Sequence, residues 1–268
     1  MKIKAIFFDL GNTLVTSNDF MQNKALRVNQ ELLQSIKHSF SLEELKKAHK
    51  KAVEYTSTKY RGNSKVYEKG LFTWIMYKFL GLDIDRKVAD KIEEEFQRRR
   101  LKSYKLRPNV KTILSSFKKK YKLAIISNGS VDEINHVINK FDLRKYFDLI
   151  IISEEVGKQK CTTIPIKIAL DKLDLKPEEA VMIGDRTDED ILGAKKLGMI
   201  AVKYNYGAWK DVNYSDENVK PDFVIDNLLE LNEILGKLNK ENYQKPLVLI
   251  NPSVSISKHY PKINNLIF

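Results

Sequence analysis

Short runs of consecutive apolar residues alternate along much of the chain with longer segments whose apolar residues recur at helical spacing. Apolar runs of this length are typical of strands that are buried on both faces of a sheet. Alternating strands and helices predict an α/β fold with a Rossmann-like parallel sheet. The predicted strands are Ile3–Phe8, Leu123–Ile126, Leu149–Ile152, Val181–Ile183, Ile200–Val202 and Phe223–Ile225. The predicted helices between them are Val110–Lys120, Val131–Phe141, Ile164–Leu173 and Asp188–Leu197.

The interval from about Val15 to Tyr104 interrupts this alternation, because its pattern predicts helices and no strand. Ser41 and Glu44 form a capping box at the start of one of these helices, and Gly81 is a stop signal for another. The four predicted helices are Phe20–Ile36, Leu42–Thr58, Val66–Leu80 and Arg86–Lys102. We therefore predict an all-helical cap inserted after the first strand.

The predicted domain division follows from this interruption. Residues 1–15 and 105–238 form the α/β core, residues 16–104 form the cap, and residues 239–268 form a C-terminal extension. Within the extension, Pro246–Ile250 is predicted as an extra strand, and Asn251-Pro252 as a turn.

The composition supports a packed domain with acidic partners. The chain has 268 residues, of which 43% are hydrophobic and 31% are charged, and its formal net charge is +12. A positive excess favours phosphorylated metabolites, nucleic acid or anionic surfaces. The charge by itself does not choose among these partners. The lysines are scattered along helices without a nucleic-acid-binding motif, so we expect solvated helix faces rather than a nucleic-acid site. The sequence leaves open whether the protein forms a homodimer.

The location of the protein is predicted from two further features. The apolar run at the N-terminus is interrupted by Asp9 and is too short for a signal peptide, and no run approaches the roughly 20 residues of a membrane helix. The single cysteine, Cys161, excludes an internal disulfide and agrees with a reducing compartment. We expect a cytoplasmic protein with no membrane partner.

Polar residues that suit phosphoryl transfer follow four of the predicted strands. Asp9 ends the first strand, Ser127 and Asn128 follow the second, Lys160 lies beyond the third, and Asp185 follows the fourth. In a parallel sheet, ligands bind outside the carboxyl ends of the strands. One carboxylate can act as a nucleophile, another can hold a divalent cation, and the hydroxyl and ammonium groups can bind phosphate oxygens.

Four segments resemble the sequence motifs of the haloacid dehalogenase superfamily, in the family's order. They are Phe7–Leu14 (FFDLGNTL), Ile125–Gly129 (IISNG), Ser153–Gly157 followed by Lys160, and Ile183–Ala194 (IGDRTDEDILGA). The resemblance covers roughly residues 1–236, and the helical insert is similar to the family's cap domain. Each motif is modest by itself, but four in order at strand ends make a specific signal.

The resemblance implies a role for each matching residue. Asp9 would be the nucleophile that forms an aspartyl-phosphate, and Ser127 and Lys160 would bind the phosphoryl group. The cofactor would be Mg²⁺, held by Asp9, the backbone carbonyl of Gly11, Asp185 and Asp190, with Glu189 as the alternative to Asp190. The remaining motif residues are assigned to substrate binding, with Thr13 also bracing the first loop: Asn12, Thr13, Asn128 and Gly129.

The sequence departs from the family pattern at two places. Phosphatases of this family usually carry an acid/base Asp where this chain has Gly11, and Asn12 cannot titrate in its place. The family often has Pro-Asp-Pro after the lysine, where this chain has Cys161-Thr162-Thr163. The second departure predicts a looser loop around Lys160. For Cys161 we expect a packed thiol, with a pKa lowered by the neighbouring lysines as the alternative.

Three functions remain in competition. The first is a magnesium-dependent phosphatase of a small metabolite. The second is a 2-haloacid dehalogenase, a branch of the family that works without a metal, and the third is a catalytically weak phosphate-binding or partner-binding protein. In the cap, the loop Tyr60–Asn63 and the cationic end Arg98–Arg100 are candidates for substrate selection. For Arg98–Arg100 the favoured prediction is that the arginines satisfy a helix C-terminus.

Overall fold

The core of the protein is a six-stranded parallel sheet. The computed structural model describes residues 2–207, 210 and 219–240. The strands of this sheet are β1 (Ala5–Phe8), β4 (Lys122–Ser127), β5 (Leu149–Ile152), β6 (Ala180–Gly184), β7 (Ile200–Tyr204) and β8 (Phe223–Ile225). Their order across the sheet is β5-β4-β1-β6-β7-β8. The prediction of an α/β fold with a parallel sheet is confirmed.

Alternate residues of each strand pack against opposite faces of this sheet. Ile6 and Phe8 of β1 join one hydrophobic cluster, and Ala5 and Phe7 join another. The first cluster is completed by α6 (Val110–Phe117), α7 (Val131–Lys140) and α11 (Leu231–Leu238), and the second by α9 (Ile164–Lys172) and α10 (Leu192–Lys196). Because helices cover both faces, the strands are continuous apolar runs.

A helical segment with its own hydrophobic core follows β1. It consists of α1 (Asn18–Asn23), α2 (Ala25–Ser35), α3 (Leu42–Lys59), α4 (Leu71–Phe79) and α5 (Arg86–Ser103). The expected helix Phe20–Ile36 is therefore two helices, which meet at Lys24. The expected helix Val66–Leu80 is a 3₁₀ turn, Ser64–Tyr67, followed by α4, because Gly70 between them is left-handed at φ 66°.

A short antiparallel pair marks the entry to this segment and the exit from it. It is formed by β2 (Val15–Thr16) and β3 (Lys105–Leu106), with Val15 opposite Leu106. The expectation that the interval from Val15 holds no strand is therefore wrong at its first two residues. A two-residue strand is too short to produce a periodic pattern, so the sequence did not reveal it.

The last turn of α5 is attached to the core helix α7 at two points. Lys140 donates from Nζ to the carbonyls of Leu101, Lys102 and Tyr104 at 2.9, 3.0 and 3.2 Å. Glu133 accepts a 2.5 Å hydrogen bond from the Tyr104 hydroxyl. The C-terminal carbonyls of α5 are thus satisfied by a lysine from another helix.

The arginines that were predicted to satisfy these carbonyls pair with carboxylates instead. Arg98 and Arg99 bind Glu95 on their own helix, and Arg100 lies 2.9 Å from Glu133 of α7. Arg100 does place a positive charge in the last turn of α5, as predicted. The side chains of Arg98–Arg100 pair with carboxylates rather than with helix carbonyls, because charged acceptors bind a guanidinium more strongly.

Of the predicted C-terminal extension, the structure describes residues 239 and 240. The side chain of Asn239 accepts a 2.8 Å hydrogen bond from the backbone N–H of Ile3. The predicted strand Pro246–Ile250 and the turn Asn251-Pro252 lie outside the described residues. Among the helices that the structure describes, none combines the length and apolar character needed to cross a membrane.

Candidate active site

The carboxyl ends of three neighbouring strands deliver the predicted chemical groups to one edge of the sheet. Asp9 follows β1, Ser127 ends β4, and Asp185 follows β6, and β1 lies between the other two strands. The three side chains are almost completely buried, with 6%, 2% and 3% of their surfaces exposed in that order. The strand order therefore places these side chains at the same edge, as the sequence predicts.

Asp9 is held by two side chains, one at each of its carboxylate oxygens. Lys160 Nζ lies 2.6 Å from Oδ1 of Asp9, and Thr13 donates from Oγ1 to Oδ2 at 3.0 Å. The same ammonium contacts Oδ1 of Asp190 at 2.5 Å and donates to the carbonyl of Ile126 at 3.2 Å. Lys160 is thus paired with two carboxylates, and Thr13 contacts Asp9 directly rather than only bracing the loop.

Three carboxylates meet at this edge. Asp9, Asp185 and Asp190 each offer an oxygen, and these oxygens lie within 4.8 Å of one another. Asp190 reaches the group because residues 187–191 form a π-helical turn before α10, in place of the regular helix predicted for Asp188–Leu197. Gly184 allows this approach, because a Cβ at that position would lie 2.2 Å from the Asp190 carboxylate.

The electrostatics of this group favour a bound cation. Burial, followed by the charges of Asp9 and Asp190, raises the pKa of Asp185 well above its usual range. Burial raises the pKa of Asp190 to about 7, against the opposing effect of Lys160. Burial lowers the pKa of Lys160, but its two carboxylate partners outweigh burial and the net pKa is raised. Three buried carboxylates with one ammonium fit a hard divalent cation, which prefers oxygen ligands.

The loop that carries Lys160 is anchored at two successive backbone amides. Lys160 donates from its N–H to Oδ1 of Asn128 at 3.1 Å, and Cys161 donates from its N–H to Oε2 of Glu189 at 3.0 Å. Asn128 and Glu189 are themselves joined, with Nδ2 and Oε2 2.9 Å apart. These anchors hold the loop where the family often has prolines, so the predicted looseness is not observed at Lys160 and Cys161.

Two predicted site residues, Glu189 and Gly129, make contacts that their motifs did not indicate. Glu189, the alternative metal ligand, is engaged with Asn128 and Cys161 rather than grouped with Asp9. Gly129 donates from its N–H to Oγ of Ser153 at 3.1 Å, which links the second and third motifs. Asn128 and Gly129 therefore organise the loops around the site through contacts within the protein.

The Cys161 thiol is buried, as expected for a packed side chain. Burial, followed by the charge of Glu189, raises the pKa of Cys161 to about 12. The alternative of a lowered pKa is therefore wrong, because burial and a neighbouring carboxylate outweigh any effect of the lysines. Cys161 is a packed side chain of the second hydrophobic cluster.

The cap loop Tyr60–Asn63 lies against the Lys160 loop. Gly62 donates from its N–H to Oε1 of Gln159 at 2.7 Å, and Gln159 donates from its N–H to the Gly62 carbonyl at 3.1 Å. Asn63 forms an antiparallel bridge with Lys158. The sequence motifs gave no role to Gln159. The one signal in the sequence was its position next to Lys160, which places it close to the predicted site.

Comparisons with known proteins agree with this geometry. The sequence profile of haloacid dehalogenase-like hydrolases matches residues 6–203. The chain is 26% identical over 242 residues to the glyceraldehyde 3-phosphate phosphatase of Methanopyrus kandleri, covering 89% of this chain and 100% of the relative. It is 26% identical over 240 residues to the pyrophosphatase PpaX of Bacillus anthracis, covering 90% of this chain and 100% of the relative.

A solved structure shares the fold. The putative HAD-hydrolase YfnB of Bacillus subtilis, solved bound to magnesium, superposes with a TM-score of 0.67 and 19% identity, covering 88% of this chain and 99% of the other. At this identity the likeness concerns the fold. The profile match spans the strand-end residues Asp9, Ser127, Lys160 and Asp185, and together these findings show that the chain belongs to the haloacid dehalogenase-like hydrolase family.

Proposed function

We propose that this protein is a magnesium-dependent phosphatase that hydrolyses a small phosphorylated metabolite through an aspartyl-phosphate on Asp9. The observation that carries the proposal is the buried group of Asp9, Asp185 and Asp190 with Lys160 between two of its members. A site with this charge distribution suits a phosphate dianion only when a cation balances the carboxylates.

The chain's own residues support a two-step reaction. A carboxylate oxygen of Asp9 attacks phosphorus, the P–O bond to the leaving group breaks, and the leaving oxygen takes a proton from a water molecule, which becomes hydroxide. A second water molecule attacks the phosphorus of the aspartyl-phosphate and gives a proton to that hydroxide. The bond between phosphorus and the Asp9 oxygen breaks, which releases inorganic phosphate and restores the carboxylate. Lys160 and Ser127 hold the phosphoryl oxygens, and Thr13 keeps the Asp9 carboxylate in position through its 3.0 Å hydrogen bond.

Mg²⁺ would be held by Asp9, Asp185, Asp190 and the backbone carbonyl of Gly11. When bound, it supplies positive charge that offsets the negative charge of the phosphoryl group during transfer. These four donors are all hard oxygen ligands, as this ion prefers. The carboxylates present at the site therefore fit the cofactor that the family resemblance implies.

The burial of the site supports a small substrate. Lys160 is 2% exposed and Asp190 is fully buried, so these groups leave little room for a large leaving group. The relatives named above are a glyceraldehyde 3-phosphate phosphatase and a pyrophosphatase. We propose a short phosphate ester or inorganic pyrophosphate as the substrate class, and a panel of both kinds, assayed with Mg²⁺, separates these options.

Substitution of the nucleophile tests the mechanism. Asp9→Asn keeps the size of the side chain but replaces the attacking carboxylate with a poor nucleophile, so turnover of every substrate in the panel should be lost while the thermal unfolding profile persists. Beryllofluoride should bind the unsubstituted protein and not the variant. Undiminished turnover in purified Asp9→Asn protein would refute the proposal.

The same panel tests the competing functions. A 2-haloacid included in the panel should not be turned over, because the acidic group at Asp185 and Asp190 suits a metal that the family's dehalogenases do not use. Turnover of that compound without metal would favour the dehalogenase. Tight phosphate binding without any turnover would favour a binding protein.

A further inference from the structure

We infer that Gln159 is a positioning residue, which couples closure of the cap to the placement of Lys160. The inference deepens the proposed function, since it rests on Lys160 as the phosphoryl-binding group. It concerns a residue outside the four motifs, whose side chain joins the cap to the core immediately before the lysine.

The contact between cap and core at this point is a short antiparallel pairing. Gln159 exchanges two hydrogen bonds with Gly62, one from its backbone N–H and one to its side-chain Oε1. Ser64 donates from its N–H to the Gly157 carbonyl at 3.3 Å, and Asn63 bridges Lys158 between them. Three consecutive core residues, 157–159, are thus paired with three consecutive cap residues, 62–64.

The pairing ends at the residue before Lys160. Beyond that point the loop is fixed from the core side, where Asn128 accepts from the Lys160 N–H and Glu189 accepts from the Cys161 N–H. The backbone before Lys160 is therefore held by the cap, and the backbone after it is held by the core. Because these bonds flank one residue, opening the cap loop removes the restraint on one side of Lys160.

Glutamine suits this position because both ends of its amide have partners in the cap. Its Oε1 accepts a hydrogen bond from the Gly62 N–H. Its Nε2 lies 3.4 Å from the hydroxyl of Tyr67, which belongs to the 3₁₀ turn that follows Gly62 in the cap. Gln159 is 7% exposed, so its amide would be costly to bury without these partners. Gly62 permits the approach, since it has φ 74° and a Cβ would lie 2.8 Å from Thr162.

The test compares three variants by kinetics and by hydrogen exchange. Gln159→Met keeps the length of the side chain but removes the acceptor, Gln159→Glu keeps an acceptor for Gly62, and Lys158→Ala changes the adjacent exposed side chain as a matched control. The first readout is kcat and KM for p-nitrophenyl phosphate with Mg²⁺. The second is deuterium uptake of residues 60–66 and 157–163 in the protein without substrate.

If Gln159 positions Lys160, Gln159→Met should lower kcat about 5- to 10-fold, the effect of one lost hydrogen bond. Deuterium uptake should rise in both segments, Gln159→Glu should recover most of kcat, and Lys158→Ala should behave as the unsubstituted protein. An increase of uptake confined to residues 60–66, with kcat unchanged, would overturn the inference. If the unsubstituted protein hydrolyses neither a phosphate ester nor pyrophosphate, the proposed function fails. The comparison of deuterium uptake still shows whether Gln159 couples residues 60–66 to residues 157–163.

Discussion

The side-chain amide of Asn12 donates a hydrogen bond to the carboxylate of Asp185, with Nδ2 3.2 Å from Oδ2. The same amide accepts at Oδ1 from the Thr16 hydroxyl at 3.3 Å, and Thr16 belongs to β2, where the chain enters the cap. Asn12 adopts a left-handed backbone at φ 59°, and a Cβ at Gly207 would lie 3.4 Å from its side chain. The residue that the family resemblance assigned to substrate binding thus connects the entry of the cap to a carboxylate of the proposed metal site.

Removal of the Asn12 amide should weaken Mg²⁺ binding. Hydrogen bonds to metal ligands orient them, and their loss typically lowers metal affinity by about 10-fold or more. Asn12→Ala should therefore raise the Mg²⁺ concentration needed for half-maximal thermal stabilisation by about 10-fold, with little change in KM. Thr16→Val, which leaves the bond to Asp185, should have a smaller effect. A changed KM with unchanged Mg²⁺ dependence would instead indicate that Asn12 binds substrate.

The metal-free protein should lose stability as the pH rises. The folded-state pKa of Asp190 is raised to about 7, and that of Asp185 is raised as well, so the folded state binds more protons than the unfolded state between their ordinary values and about 7. Stability therefore falls as pH rises through this window. Melting temperatures in EDTA should be lower at about pH 8 than at about pH 5, and stabilisation by Mg²⁺ should be larger at the higher pH.

Asp185→Asn is the control for this pH dependence. The substitution removes one of the crowded carboxylates, so the metal-free variant should be more stable than the unsubstituted protein at about pH 8 and should respond less to Mg²⁺. Parallel pH profiles for the two proteins in EDTA would show that the acidic group does not control stability.

Gly11→Asp should be tolerated and should improve catalysis with poor leaving groups. Gly11 lies outside the left-handed region, and a Cβ built there meets no atom of the described residues within 4 Å. A general acid typically contributes about 10²–10⁴-fold in rate, so the variant should gain activity on alkyl phosphates and little on aryl phosphates. Rates that are equal on both substrate classes in the unsubstituted protein would indicate that another group already supplies the proton.

Lys140→Met should loosen the attachment of the cap without disturbing the core. The variant keeps the apolar stem but removes the ammonium from the three carbonyls at the end of α5, at a cost of about 0.5–1 kcal/mol in the free energy of unfolding. Deuterium uptake of residues 99–105 should rise. Lys145→Met, which removes an exposed pair with Asp142, should leave that segment unchanged. Equal uptake in the two variants would argue against the role of Lys140.

His49 should contribute to acid sensitivity. Burial lowers the pKa of His49 from 6.5 to about 4, and its ring contacts Phe72 with centroids 5.3 Å apart. Below pH 6.5 the unfolded state binds a proton at His49 that the folded state binds only below about pH 4, so this histidine lowers the free energy of unfolding as pH falls through that range, opposite in sign to the effect of Asp185 and Asp190. The melting temperature of His49→Phe, relative to that of the unsubstituted protein, should therefore increase as pH falls through the same range. A difference that does not change with pH would mean that His49 makes no such contribution.

Much of the fold and the chemical inventory of the site follow from local sequence patterns. Strands buried on both faces are continuous apolar runs, so β1, β4 and β6 are visible in the sequence as such, and the polar residue after each run lies at the carboxyl edge of the sheet. Asp9, Ser127 and Asp185 could be identified from these two facts and from the family motifs. The pattern failed where elements were short, as in β2, or where a π-helical turn replaced a regular helix.

The contacts among the polar residues at the sheet edge depend on the tertiary structure. The contacts Asn12–Asp185 and Gly62–Gln159 join residues separated by 173 and 97 positions, and no local pattern encodes them. Asp190 rather than Glu189 joins the acidic group because the turn after β6 rotates one side chain toward Asp9 and the other toward the Lys160 loop. The residue types at the sheet edge follow from the sequence, since strand burial and strand ends are local properties. The contacts between these side chains depend on how the cap and the loops pack over that edge, and this packing is a property of the folded chain.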